Sequence, residues 1–155
     1  MKRLLAAGLL WAVCAGVAAC GSPSPTPITP TPQPTVLDLT GSWSGAASDS
    51  SGPGTMTWTL TRTSTGASGP ATTRTPQGTV VLTGTVTLEL SGTSGSWTMT
   101  VPAGGVSVAP ECTVTVSGAF SVSPATSPTS ISGTYSGTGS CTAPFTSGTV
   151  TLTKQ

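Results

Sequence analysis

The chain has 155 residues, of which only 6% are charged, and it contains no histidine. Its formal net charge is +1, and its few lysines and arginines are scattered, which argues against nucleic acid as a partner because phosphate neutralisation needs clustered cations. Without histidine, the usual general base, the usual zinc ligand and any Ser-His-Asp triad are missing. The composition predicts a protein that is not an enzyme and that uses no cofactor and no metal.

The first twenty residues have the features of a bacterial export signal. Lys2 and Arg3 form a basic start, residues 4–17 form an apolar run, and small residues then precede a cysteine. The segment Val17-Ala18-Ala19-Cys20 resembles the lipobox of bacterial lipoproteins. In that family the cysteine thiol receives diacylglycerol and the bond before it is cut. The resemblance implies that residues 1–19 are removed and that Cys20 carries lipid.

Two other interpretations of this segment stay open. It could be an ordinary cleaved signal peptide, or an uncleaved anchor, although the run is short for the ~20 residues that a helical span needs. Gly21 follows the cysteine, where many lipoproteins held at the inner membrane of double-membraned bacteria have aspartate. The resemblance therefore implies a lipid-anchored protein of the cell envelope, at the outer membrane where the host has one.

Residues 20–36 are predicted to be a linker after the lipidated cysteine. Prolines at positions 23, 25, 27, 30, 32 and 34 favour polyproline II geometry. At ~3.1 Å per residue, residues 22–35 would form a semi-rigid stalk on the order of 40 Å long. The Ser, Thr and Pro content fits a plain spacer or an O-glycosylated stalk.

From Leu37 onward, apolar and polar residues alternate, which indicates β-strands and a single domain over residues 37–155. We predict eight strands, at residues 37–46, 55–63, 66–73, 78–91, 95–102, 112–122, 129–138 and 146–154. The short turns between them favour antiparallel neighbours. Pro70 should make the third strand the weakest, because proline cannot donate to a ladder.

A short motif recurs in these strands, in which a glycine lies between two apolar residues on one face, as in Val116-Ser117-Gly118-Ala119-Phe120. Gly84 and Gly133 have the equivalent place in two further copies. Such glycines let strands bend and let neighbouring backbones approach, so that a sheet can close on itself. We predict an all-β fold, a single antiparallel eight-stranded up-and-down barrel, with a β-sandwich as the alternative.

The alternation also predicts inward-facing sets of residues. They include Leu39, Trp43, Met56, Trp58, Leu60, Leu82, Val86, Leu88, Leu90, Trp97, Met99, Val101, Val114, Val116, Phe120, Val122, Ile131, Tyr135, Val150 and Leu152. In the fourth hairpin, a turn near Ser94 would place Leu90 opposite Trp97 and Leu88 opposite Met99.

The cysteines are predicted to include one disulfide. Cys14 leaves with the signal and Cys20 is lipidated, so Cys112 and Cys141 remain as a pair in an oxidising compartment. Alignment of the sixth and seventh strands places them side by side. A metal or redox pair is the alternative, and the absence of histidine weighs against it.

The remaining polar residues do not form an evident site in sequence. The four carboxylates are far apart along the chain, and Asp49 before Ser50-Ser51-Gly52 is typical of an Asx turn. Outward threonines, as at Thr55, Thr57 and Thr59, fit a solvated strand face, while a flat array of them would match ice or carbohydrate.

Aromatic and sulfur-containing side chains are the candidates for a ligand site. They would either line a cavity in the barrel or fill its core; an eight-stranded barrel permits both outcomes. The candidates are Trp43, Trp58, Trp97, Met56, Met99, Phe120 and Tyr135.

The Leu-Thr-Gly-Ser-Trp opening at residues 39–43, the recurring Ser/Thr-Gly motif and the eight-strand meander resemble the avidin and lipocalin superfamily. That resemblance implies ligand binding in the barrel mouth without cofactor or catalysis. Two functions follow as hypotheses: a structural or interaction role in the envelope, with an envelope partner, or the binding of a small apolar or sugar-like molecule. In both cases the membrane is a partner through the lipid anchor.

Overall fold

The computed structural model of the chain describes residues 37–141 and 143–155, which form a closed barrel of eight antiparallel strands. The predicted signal peptide, Cys20 and the linker lie outside the described residues. The strands are β1 Gly41–Asp49, β2 Gly52–Arg62, β3 Gly66–Arg74, β4 Val80–Ser91, β5 Ser94–Val101, β6 Val114–Ser123, β7 Ser130–Gly139 and β8 Phe145–Lys154.

Each strand pairs with its neighbour in the sequence, and β8 pairs back onto β1 to close the barrel, with Gly45 opposite Leu152. The predicted up-and-down barrel is therefore confirmed, and the sandwich alternative is wrong. Within residues 37–141 and 143–155, no helix is long and apolar enough to cross a bilayer.

Alternation along the strands places one face of each strand in the core. All three tryptophans of the barrel are essentially inaccessible, as are Leu88 and Met99. Outward positions between them are mainly Thr and Ser, for example at Thr87 and Thr98, which lie opposite each other. Because strand residues alternate between two faces, the sequence pattern decides which side chains face the interior of the barrel.

The predicted register of the β4–β5 hairpin is wrong by two residues. Leu88, and not Leu90, lies opposite Trp97, because the strands are joined at Gly92 and Thr93 rather than around Ser94. Gly92 has a φ of 66°, which suits the first position of a two-residue hairpin loop. A shift of two residues leaves every side chain on its predicted face, so the alternation could not detect the error.

The motif glycines lie on inward positions of their strands, as predicted. A Cβ atom at Gly118 would overlap the backbone oxygen of Thr134, and one at Gly84 would overlap that of Thr100. At Gly133 it would overlap the backbone oxygen of Ala119 and come within 3.2 Å of Phe120. The close neighbour is thus mainly the backbone of the adjacent strand, rather than a bulky side chain across the interior.

Pro70 interrupts one of the two ladders of β3. β3 pairs with β4 without a break through Pro70, whereas its pairing with β2 is interrupted between Ser68 and Ala71. The missing N–H of proline explains a local gap on one side of a strand that otherwise stays in the sheet.

The two ends of the barrel differ. The base is the end at which the chain enters near Leu37 and leaves at Gln155, and the main-chain N–H of Gln155 donates to Ser42 O at 2.9 Å. The mouth is the opposite end, where the β1–β2, β3–β4, β5–β6 and β7–β8 connections lie. At the base, Leu39 is fully buried and its carbonyl accepts a 2.8 Å hydrogen bond from Trp43 Nε1.

A disulfide ties two of the mouth connections together. Cys112, before β6, is bonded to Cys141, after β7, with Cα atoms 5.6 Å apart. The predicted pairing is confirmed. Glu111 lies beside this pair, but both sulfurs are bonded to each other, so the cluster offers a metal only one carboxylate.

Candidate ligand-binding site

A cavity of about 350 Å³ opens at the mouth of the barrel. Its volume lies in the range of small-molecule sites, at the lower end. The lining is mainly apolar and includes Met56, Leu82, Val106, Val114, Val116 and Phe145. Polar groups enter it at Asp49, Thr73, Arg74 and Tyr135.

Strand alternation aims most of the apolar lining inward, and one loop completes it. Val114 and Val116 are successive inward residues of β6, and Met56 has the same role in β2. The β5–β6 loop folds back onto β4, where Val106 forms a bridge with Leu82. Val106 is only 5% exposed, so this loop forms part of the cavity wall rather than a free surface segment.

Asp49 and Tyr135 form a hydrogen-bonded pair at the cavity. Tyr135 Oη donates to Asp49 Oδ2 at 3.0 Å, while Asp49 Oδ1 accepts the N–H of Ser51 at 2.7 Å. The predicted Asx turn is therefore confirmed. Burial, and then the hydrogen bond to Asp49, raises the pKa of Tyr135 well above its ordinary range. The phenol consequently stays protonated and remains a donor to the carboxylate.

Thr73 is an inward polar residue near the mouth. It lies in β3 between Met56 of β2 and Leu82 of β4. Its Oγ1 is inaccessible and has no hydrogen-bond partner among the residues that the structure describes. A buried hydroxyl without a partner is costly, and because Thr73 lines the cavity, a rotation about its χ1 is what would bring this hydroxyl to a ligand there.

Arg74 is the cationic residue of the lining, and its side chain is directed toward the β3–β4 loop. Its side chain is exposed, and its Nη1 donates to the carbonyl of Gly78 at 2.9 Å. The guanidinium therefore stabilises the β3–β4 loop. Asp49, by contrast with the exposed Arg74, is half-buried.

Below the cavity, aromatic rings fill the centre of the barrel. Trp58 and Trp97 have ring centroids 5.1 Å apart, and Trp97 lies 5.8 Å from Tyr135 in an edge-to-face arrangement. Tyr135 in turn contacts Phe145 at 6.2 Å. Such tilted pairs contribute about 0.5–1.5 kcal/mol each beyond burial. These packed rings close the lower end of the cavity.

The structure divides the predicted ligand-lining residues into two groups. Met56 and Tyr135 line the cavity. The others are buried in the core and do not line it: Trp43, Trp58, Trp97, Met99 and Phe120. Trp43 lies toward the base, with Lys154 Nζ 5.5 Å from its ring centroid.

Several residues of the cavity could not be assigned to a site from the sequence pattern that was used to predict the strands. Alternate residues of β3 face inward, and Thr73 is the next of them after Ala67, Gly69 and Ala71. The alternation of the strand could therefore have identified Thr73 as an inward-facing residue. Val106 lies in a loop without strand pattern, and nothing in the sequence predicted its bridge to β4. Asp49 was assigned a turn role only, and its partner Tyr135 is 86 residues away.

No family model matches the chain, and comparison with curated proteins and with solved structures found no match either. The hypothesis of ligand binding therefore depends on the geometry of the cavity.

Proposed function

We propose that this protein is a lipid-anchored, non-catalytic component of the bacterial cell envelope that binds a small, largely apolar molecule in the mouth of its barrel. The cavity of about 350 Å³ carries this proposal, because it combines an apolar lining with a few convergent polar groups. The buried Thr73 hydroxyl without a partner among the described residues supports it.

The anchoring part of the proposal depends on the basic start, the apolar run and the cysteine of the lipobox-like segment. The described residues begin at Leu37, which lies at the base of the barrel, opposite the mouth. Replacing Cys20 with Ser should abolish labelling by a fatty-acid probe and release the protein from the detergent phase. If the variant still labels, the anchoring proposal is wrong.

The binding part is tested with a neutral naphthylamine dye whose fluorescence rises in apolar surroundings. The lipidated protein in lipid nanodiscs should bind the dye above the level of empty nanodiscs. Val114→Phe adds volume inside the cavity and should remove this signal. Val122→Phe makes the same change near the base, away from the cavity, and should retain it.

Thermal melts of both variants establish that they are folded. A signal that is unchanged in folded Val114→Phe would place dye binding elsewhere and would contradict the proposal.

A structural or interaction role is the second candidate, and the outer wall favours it. One row of exposed or partly exposed hydroxyls runs across six neighbouring strands: Thr61, Ser68, Thr87, Thr98, Ser117 and Ser136. Such an uncharged surface suits a polar envelope polymer. Cosedimentation with cell-wall material of the host, lost in Thr98→Lys, would support this role.

A further inference from the structure

The polar groups of the cavity also indicate the chemistry of its ligand, an inference that rests on the binding function proposed above. We infer that the mouth selects an uncharged, largely apolar molecule with a hydroxyl group at one end, as a long-chain alcohol has.

The apolar body follows from the lining and the volume. Met56, Val114 and Val116 present only hydrocarbon and thioether surface, and Val106 and Phe145 extend this surface toward the rim. A volume of about 350 Å³ accommodates a molecule much smaller than a phospholipid. The aromatic stack below prevents deeper entry, since its rings are packed against each other.

The hydroxyl head group is inferred from the hydrogen bonds that the polar side chains of the cavity could still form. The Thr73 hydroxyl can donate and accept, and it has no partner among the described residues. The Asp49 carboxylate only accepts, so a ligand group that approaches it must donate. Once a rotation about χ1 brings the Thr73 hydroxyl to the cavity, an alcohol oxygen can accept from it, and the alcohol proton can be donated to Asp49 or to the phenol oxygen of Tyr135.

The charges argue for a neutral ligand. An anion would be repelled by the half-buried carboxylate of Asp49. Arg74 is the cation of the lining that could offset this repulsion, but its side chain is exposed, screened by solvent and hydrogen-bonded to Gly78. A cation would be attracted by Asp49, but this carboxylate is only half-buried, so the attraction is screened by solvent, and an ammonium group would lose its own hydration in a mainly apolar cavity.

The test compares octanol, octanoate and octylamine, which share one alkyl chain and differ in the head group. Binding to the lipidated protein in nanodiscs is measured by displacement of the naphthylamine dye, with empty nanodiscs as the baseline. Octanol should bind tightest. Thr73→Val keeps the shape and removes the hydroxyl, so octanol binding should weaken by roughly twofold to tenfold.

Thr72→Val is the matched control, because Thr72 is the adjacent residue on the outward face and lies opposite Thr57 and Thr83. It should leave octanol affinity unchanged. A melt of Thr73→Val completes the test: the variant should be at least as stable as the wild type while it binds octanol less well, a combination that a purely structural role of Thr73 would not produce.

The other outcomes contradict the inference in distinct ways. Equal binding of all three molecules, unaffected by Thr73→Val, would leave the binding function standing and overturn the ligand chemistry. Tightest binding of octanoate, lost in Arg74→Gln, would assign the head group to an anion. Dye binding at the mouth that none of the three molecules displaces would overturn the ligand chemistry alone, whereas no dye binding at the mouth would overturn the proposed function together with this inference.

Discussion

The Tyr135 hydroxyl and the Asp49 carboxylate are 3.0 Å apart in the fold and 86 residues apart in the chain. Asp49 ends β1 and Tyr135 lies in β7, so their hydrogen bond spans the intervening strand β8 at the mouth. Gly148 of β8 permits this contact, because a Cβ there would collide with the Tyr135 ring. The pair therefore fixes a polar group of the cavity and holds the closing strands together.

The first prediction concerns the pH dependence of stability. The pKa of Tyr135 is raised in the folded state, so the folded protein keeps this proton at a pH where the unfolded chain loses it. Its contribution to stability is complete below pH about 10 and should decline as the pH rises above that value. Tyr135→Phe should be less stable at neutral pH by about 1 kcal/mol and should decline less above pH 10.

Tyr135 is the sole tyrosine of the chain, so tyrosinate absorbance reports its ionisation directly. In the folded protein this absorbance should stay low until the barrel unfolds in alkali, whereas in urea it should rise near pH 10, the ordinary value. A folded protein that titrates near pH 10 would show that the phenol is not held by Asp49.

The second prediction concerns Thr73 in the absence of ligand. Its buried hydroxyl has no partner among the described residues, so Thr73→Val should raise the free energy of unfolding by about 1 kcal/mol. Urea denaturation of the two proteins measures this difference, with Thr72→Val, on the outward face of the same strand, as the comparison. A clear loss of stability in Thr73→Val alone would show that the hydroxyl already has a partner.

The third prediction concerns Gly118. Valine there should destabilise the barrel by about 1–3 kcal/mol or more, because its Cβ would meet the backbone of Thr134 and Tyr135, which cannot rotate away. Ser117→Val introduces the same side chain at the exposed neighbouring position and should be nearly neutral. Equal melting temperatures for the two variants would remove the argument that these glycines allow close strand approach.

The fourth prediction concerns the disulfide at the mouth. Cys112 and Cys141 are separated by 29 residues, and replacing both with Ala should lower stability by roughly 3–4 kcal/mol on the chain-entropy model. A reducing agent should destabilise the wild type by a similar amount and leave the double variant unaffected. If reduction also destabilises the double variant, the effect does not come from this bond.

The fold could be predicted from the sequence to a large extent because strand alternation, short turns and the glycine motif are local properties. The residues assigned inward, such as Trp58, Val116 and Leu152, are buried, and Cys112 meets Cys141. Alternation does not fix register, and for this reason the β4–β5 alignment was displaced by two residues. The turn at Gly92 decides that alignment.

The candidate site was harder to predict, because its wall depends on contacts between distant segments. The bridge between Val106 and Leu82 closes one side of the cavity through a loop that has no repeating pattern. The tryptophans were expected either to line a cavity or to fill the core, and sequence could not choose between these outcomes. Packing decides it: Trp58 and Trp97 stack against each other, and the cavity lies above them.

Native mass spectrometry of the protein purified from its own host tests the central claim most directly. We predict that the wild type carries a small, largely apolar molecule in addition to its lipid, and that Val114→Phe lacks it while Val122→Phe retains it. A wild type whose mass is that of the lipidated chain alone, under conditions that preserve added octanol binding, would contradict the claim that the mouth of this barrel is a ligand site.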